Sequence, residues 1–540
     1  MANPSLQIGN GKFAIKENDL LGYSSSGTRF FPIPITMTRA TLGTRVNPSG
    51  LIEDVELLGS EEVENGDGSS TTGWDLAYAN TTLSINNNNL RATANGSGAY
   101  GLSQDLSLDT NKQYIIKATI NVDNASGGAA NLRIATNSNL SSNVTTLSST
   151  TGTTTTILSP SATTMYIGIV DTANDSSNYV EIDNISVKEY TIDGLARVDY
   201  TDGTASLLVE PQRTNLITYS ESISNLSSTT NGTGTLTITD NYTDSPQGLQ
   251  NASRVQMSIV DTNDTNNYRL INAGSVMITG VTREISFYAK SLTGSNQDVL
   301  VYWSYDQQIV TLTNDWQRFK ISATSGNSSK VFIGTRGGSG SYFSGGDANL
   351  DFALWGLQVE DDGSGGGSSY ATSYIKTQGS SVTRNQDEYT KTGISDKINS
   401  EEGVLFLEVA YLTQTSPTIK EISLNDGTNS NRVALRLNTT TNQIRAIVRV
   451  GGSNQFTVQN TISNVTNYNK IALKYKENDF ALWVNGVELD TDTSGSIPSG
   501  LNQLDFDEGN GASVFCGKVK QLQVFKTALS DSELATLTTI

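Results

Sequence analysis

Lys470-Ile-Ala-Leu-Lys-Tyr475, followed by Phe480-Ala-Leu-Trp-Val-Asn-Gly-Val-Glu-Leu489, decides the fold class. The first run alternates apolar and polar residues, which on a strand sends every second side chain to one face. In the second, Asn485-Gly486 is the pair that a two-residue type I′ hairpin turn favours, because both central residues need positive φ. Working outward, Val404-Leu-Phe-Leu-Glu-Val-Ala-Tyr411, Arg432-Val-Ala-Leu-Arg-Leu437 and Gln443-Ile-Arg-Ala-Ile-Val-Arg-Val450 add strands of the same character. Residues 395–540 therefore read as one antiparallel sandwich.

Further toward the N-terminus, Gln113-Tyr-Ile-Ile-Lys-Ala-Thr-Ile120, Met165-Tyr-Ile-Gly-Ile-Val170 and Glu284-Ile-Ser-Phe-Tyr-Ala289 repeat the pattern. Two blocks, 59–190 and 217–362, share a ground plan: each has room for eight or nine strands and closes on a long apolar strand, Tyr179-Val-Glu-Ile-Asp-Asn-Ile-Ser-Val187 or Leu350-Asp-Phe-Ala-Leu-Trp-Gly-Leu-Gln-Val-Glu360. Helical periodicity is confined to Ser530-Asp-Ser-Glu-Leu-Ala-Thr-Leu537, where Ser530 and Glu533 stand at capping-box spacing. The expected class is all-β: tandem antiparallel sandwiches, two jelly rolls and one further sandwich, with an extended N-terminal module at 1–58 continued by 191–216. Asp362-Gly-Ser-Gly-Gly-Gly-Ser-Ser369 opens an expected flexible linker and strap at 363–394.

Composition narrows the chemistry. The chain has 540 residues, no histidine, one cysteine (Cys516) and a formal charge of −19. Histidine-dependent triads, His-ligated zinc and intramolecular disulfides are excluded. The acidic balance repels phosphate backbones and argues against a nucleic-acid partner. The opening residues lack the basic and apolar regions of a secretory signal, and no apolar run reaches the ~18 residues of a membrane span, so synthesis in a cytosol without membrane insertion is expected.

Three resemblances follow from the quoted residues. The 395–540 block resembles the concanavalin A-like, laminin-G-type sandwich, through 470–475, 480–486, Gly517-Lys-Val-Lys-Gln-Leu-Gln-Val-Phe525 and Ala528-Leu-Ser-Asp-Ser-Glu-Leu534. The 59–190 block is similar to jelly-roll carbohydrate-binding modules, with an Asn-Gly turn ahead of Trp74 and a closing Ile-Asp-Asn-Ile-Ser-Val strand. Thr36-Met-Thr-Arg-Ala-Thr-Leu-Gly-Thr-Arg-Val-Asn-Pro-Ser-Gly-Leu-Ile-Glu53, Ala196-Arg-Val-Asp-Tyr200, Leu207-Leu-Val-Glu-Pro-Gln-Arg-Thr-Asn-Leu216, Trp355-Gly-Leu-Gln-Val-Glu360, and Ala371-Thr-Ser-Tyr-Ile-Lys-Thr377 with Val382-Thr-Arg384 resemble recurring segments of tailed-bacteriophage tail-fibre and head-spike proteins. That resemblance implies a structural, non-enzymatic virion-surface protein. Its N-terminal module would attach to capsid, portal or tail, its sandwiches would meet host-surface glycan, and it would assemble as a homo-oligomer, commonly a trimer. A non-viral carbohydrate-binding protein and a virion-borne glycan depolymerase stand as alternatives.

Residue roles follow. Pro32, Pro34, Pro48 and Pro211 fix φ and favour extended straps at 30–35 and 210–215. Arg39, Arg45, Arg197 and Arg213 carry the fork geometry to pin such straps to carboxylates or carbonyls. Trp74, Tyr78, Tyr100, Trp303, Tyr305 and Tyr342 lie nearest loop signals and are candidates for stacking on sugar rings, whereas Trp316, Trp355 and Trp483 are assigned to cores. By resemblance to the calcium-holding jelly rolls, Glu64, Asp67 and Asp183 are candidate ligands for a structural calcium, and Asp505, Asp507 and Glu508 form a second acid-rich turn. Glu488, Asp490 and Asp492 alternate on one strand and are the one carboxylate set with glycosidase-like spacing, but they follow the Asn485-Gly486 turn, where exposed acids are ordinary, and lack the final Glu of that hydrolase pattern, so they are assigned to a solvated strand end and no catalytic residue is expected.

Overall fold

Nearly every alternating stretch becomes a strand, and the computed structural model of the chain is almost entirely antiparallel sheet, with one α-helix among the described residues. It describes residues 1–9, 13–16, 19–24, 30–31, 35–124, 130–172, 178–303, 306–326, 330–338, 345–362, 366–414 and 418–540. Two compact units result: Glu56–Ile192, and Met1–Val55 together with Asp193–Ile540.

Glu56–Ile192 is one sandwich. Its closing strand Tyr179–Thr191 lies between Asn89–Ala94 and Tyr114–Asp123, and the opposing sheet centres on Thr164–Asp171. Inward residues of both sheets, among them Leu90, Ile116 and Ile182 from one and Leu102, Leu132 and Ile167 from the other, form a shared core. Each is fully buried, and a buried Leu or Ile side chain stabilises the fold by roughly 1.5–3 kcal/mol.

The second sandwich repeats this order. Its closing strand Asn349–Asp361 lies between Ala252–Ile259 and Thr282–Ser291, opposite a five-stranded sheet built around Val331–Arg336. Asn349–Asp361 is buried along almost its whole length because both faces are covered: the core packs on one side, and Tyr374 with Tyr288 packs around Trp355 on the other.

The C-terminal sandwich pairs an eight-stranded sheet with a seven-stranded one. Its hairpin turn has φ +51° at Asn485 and +84° at Gly486, the positive pair that Asn-Gly supplies. Helix Asp531–Thr538 begins with the Ser530–Glu533 capping box and covers Phe406 and Trp483 on the outer sheet face.

Strands from far upstream complete this sandwich. Leu6–Gly9 and Ser206–Val209 both pair with Gly517–Phe525, and Thr36–Thr38 pairs with Glu388–Lys391 at the edge of the other sheet. The module placed at 1–58 and 191–216 is thus not a separate attachment body: Ile8, Met37, Val198 and Leu207 belong to the C-terminal core. Residues 363–394 also differ from the expected linker. From residue 366 onward the chain is tied down: Ser368 accepts a hydrogen bond from Arg213, Val382–Arg384 pairs with Arg213–Asn215, and Glu388–Lys391 joins a sheet. Of the strap at 30–35, Phe30–Phe31 pairs with Asp19–Ser24, and residues 32–34 lie outside the described residues.

Ile8 is fully buried among C-terminal residues. Ile8→Ala should lower the unfolding free energy of the unit containing the C-terminal sandwich by about 2–5 kcal/mol, read as a lower denaturant midpoint. An unchanged midpoint would show the strand to be peripheral.

Candidate functional site

The chain passes twice between the second and C-terminal sandwiches. Ser206–Val209 lies in a C-terminal sheet and Arg213–Asn215 in a sheet of the second sandwich, while Val382–Arg384 and Glu388–Lys391 make the reverse crossing. Glu210 and Asp387 occupy the two crossings and are bound back to back: Asp387 N donates to Glu210 O (2.9 Å), and Glu210 N donates to Asp387 Oδ2 (2.8 Å).

Three buried arginines close on these two carboxylates. Arg197 donates through Nη1 to Glu210 (2.6 Å) and through Nη2 to Asp387. Arg384 Nη1 reaches Glu210 (2.6 Å), and Arg39 Nη1 reaches Asp387 (2.8 Å). Carbonyls of Thr41, Thr44 and Pro211 take further guanidinium protons. Ser373 adds its backbone N–H and hydroxyl to Glu210, each at 2.7 Å. Burial pushes the Glu210 carboxyl up, but the Arg384 and Arg197 charges, with the Ser373 and Arg197 hydrogen bonds, outweigh it and hold the group well below the ordinary carboxylate range. Outside this centre, Arg45 pairs with Glu53 at 2.6 Å, and Arg213 bonds Ser368 with its guanidinium 5.0 Å from the Tyr370 ring centroid.

The neighbouring contacts are of the same kind. Glu360 accepts from Thr372 and Gln358, Asn215 donates to the Leu357 and Ile375 carbonyls, and Thr44 donates to the Tyr374 carbonyl. Segments separated by hundreds of residues therefore meet in one polar junction. Asp387 is its one central member outside the segments that carried the phage resemblance, because a single acid between Gln386 and Glu388 gives no pattern to read.

The aromatic candidates require correction. Trp74, Tyr100 and Trp303 are buried rather than open to a ligand: Trp74 Nε1 donates to the Glu64 carbonyl, the Tyr100 hydroxyl to Asp171, and Trp303 lies in the second core. The loop carrying Trp74 is folded onto the sandwich by the Glu64–Gln104 hydrogen bonds, so nearness to a loop did not mean exposure. Tyr78 is half-buried and donates to the Asn139 carbonyl. Tyr305 and Tyr342 lie outside the described residues. Trp316, assigned to a core, is instead half-exposed.

The acidic sets are not assembled either. Among the described residues no three acidic or thiol groups lie together as a metal cluster. Asp67 accepts from Ser69 and Asp183 from Asn184, each capping its own turn, and the exposed Glu64 joins no such group. In the other turn, Asp505 accepts from Thr390, Asn425 and Gln503, Asp507 from Gly509, and Glu508 faces Arg432. A bulge separates the carboxylates at 488–492: Glu488 is in register with Trp483 but Asp490 with Leu482, adjacent residues that face opposite sides of the sheet.

Residues 407–535 match the family described as the concanavalin A-like lectin/glucanases superfamily. The C-terminal sandwich is a concanavalin A-like domain. The concanavalin A-like domain is larger than the matched span, since its sheets also take strands 6–9, 36–38, 197–199 and 206–209. No curated protein sequence matches the chain. Among solved structures, the chain is similar to the Ruminococcus gnavus IT-sialidase CBM40 bound to α2,3-sialyllactose, at 19% identity over 26% of this chain and 84% of that one, TM-score 0.23. It is also similar to the CBM22 tandem of Paenibacillus barcinonensis Xyn10C, at 12% identity over 56% and 97%, TM-score 0.20. Trypanosoma rangeli sialidase matches at 9% identity over 93% and 98%, TM-score 0.23.

Removing one partner from a buried ion cluster leaves an uncompensated charge, so Asp387→Asn should cost about 3–5 kcal/mol of stability by denaturant titration. The pH dependence has a definite sign. Because the folded-state pKa of Glu210 is depressed, its contribution is complete above the unfolded value of about 4.3 and is lost as pH falls toward the folded value. Thermal midpoints should drop on acidification below about pH 4, and less steeply in Glu210→Gln.

Proposed function

We propose that the chain is a non-enzymatic structural protein of a tailed-bacteriophage particle that presents carbohydrate-binding β-sandwiches to host-surface glycan. One observation carries the scaffold part of this reading: the segments resembling phage virion proteins, dispersed from residue 36 to residue 384, meet in the single buried junction around Arg197, Glu210 and Asp387. A junction with its charged groups sealed from water suits a rigid mount better than a reaction centre. The concanavalin A-like domain supports the carbohydrate-binding part, and it fits a non-viral carbohydrate-binding protein equally well.

In this reading the particle contacts are with capsid, portal or tail proteins, and the chain assembles as a homo-oligomer, a trimer by preference. Mass spectrometry of purified particles should find its peptides at stoichiometry with the other structural proteins, and sedimentation of the purified chain should give the trimer mass. Absence from the particle would leave the non-viral reading. Release of reducing sugar from host-surface glycan should be at background and unchanged in Glu488→Gln; activity abolished by that change would instead establish a depolymerase.

A further inference from the structure

A cleft of about 1080 Å³ opens beside the buried junction, between the second sandwich, residues 369–374 and the concanavalin A-like domain. Its volume is just above the roughly 300–1,000 Å³ typical of small-molecule sites, and such sites favour seams between domains. The rings of Tyr200, Tyr288 and Trp316 line it, all half-buried. Trp316 is fixed by a hydrogen bond from Nε1 to the Asp244 carbonyl (3.1 Å), and Tyr288 by an edge contact with Trp355. Hydroxyls and carboxylates also line it, among them Thr466, Ser369 and Asp202. Flat apolar faces set among hydroxyls, which donate and accept, and carboxylates, which accept, suit a ring compound with C–H faces and a rim of hydroxyls.

The charge is distinctive. Most ionic groups of the cleft are neutralised: Lys518 by Asp202 (2.8 Å) and Asp199 (3.3 Å), and Arg45 by Glu53. Arg318 and Lys320 are exceptions. They occupy alternate positions of strand Gln317–Thr324 and so share a face, opposite Tyr288 and Ser286 of the neighbouring strand. Among the described residues neither forms an ion pair, in a chain with 54 acidic and 35 basic residues. Arg318 donates to the Ser286 hydroxyl and the Thr372 carbonyl, and its buried Nε has no partner. Glu284 also lines the cleft, accepting from the Ser322 hydroxyl; desolvation within the cleft, with the Arg318 and Lys518 charges, outweighs the Glu284 and Glu360 carboxylates and holds the Lys320 ammonium below its ordinary value.

We infer that this seam is a saccharide site selective for an acidic sugar, whose anionic group is received by Arg318 and Lys320 while its ring rests on Trp316 and Tyr288. The inference rests on the carbohydrate-binding reading and places recognition between the sandwiches. An Arg beside a Lys supplies both the forked donor and the point charge that bind a carboxylate or sulfate.

The test is an array of neutral, hexuronate-bearing and sulfated oligosaccharides probed with the full-length chain, followed by calorimetric titration of the strongest binder. Binding should be confined to the acidic members and should fall by about tenfold or more in Lys320→Glu and in Trp316→Ala. Lys320 keeps solvent-accessible surface although its ammonium is crowded by the cleft, so its variant tests the charge without opening a core, which circular dichroism would verify. Acidic-sugar binding that survives both substitutions overturns this site and leaves the carbohydrate-binding reading standing. Binding to neutral sugars alone overturns the charge assignment, and no binding to any sugar overturns both.

Discussion

Arg197 stands between two carboxylates that belong to different crossings of the chain, and the larger unit depends on that arrangement. Glu210 and Asp387 are held by each other's backbone, so neither crossing reaches its position without the other. The desolvation cost of five buried charged groups makes the cluster a poor source of net stability, since an apolar replacement of equal shape would cost less. Its physical value is directional. A guanidinium fork satisfied on several sides tolerates little displacement, whereas an apolar seam allows the sandwiches to slide.

Strand content, the hairpin at Asn485-Gly486, the capped helix and the duplicated order of the first two sandwiches were all legible in the sequence, because each is written in neighbouring residues. The strands that complete the concanavalin A-like domain were not. Leu6–Gly9, Thr36–Thr38 and Arg197–Asp199 are three or four residues long, too short for alternation to register, and their partners lie far along the chain or on strands of the same kind. The Gly/Ser run misled for a related reason. Composition reports what a segment does alone, and Ser368 is buried through Arg213, a residue 155 positions upstream.

The candidate site was misread where side-chain direction mattered. Aromatics beside turns read as open, yet Trp74 and Trp303 point inward, while Trp316 stands just before strand Gln317–Thr324 and is only half-buried. The extra residue Leu489 likewise undid an alternation of acids that is regular on paper. One inserted residue in a strand exchanges its faces, and no local composition announces it.

The pairing of Leu6–Gly9 with Gly517–Phe525 also sets an order of events during synthesis. A ribosome adding about 5–20 residues per second needs on the order of half a minute to two minutes between making the first of these strands and the second. Through that interval the early strand has an unpaired edge and an apolar face, open to pairing with another nascent chain. The unit at 56–192 has all its sheet partners within its own span and can close in the meantime. On a polysome the larger unit would thus be the last part to become safe from aggregation, which gives a chaperone, or a second copy of the chain, a long opportunity to engage it.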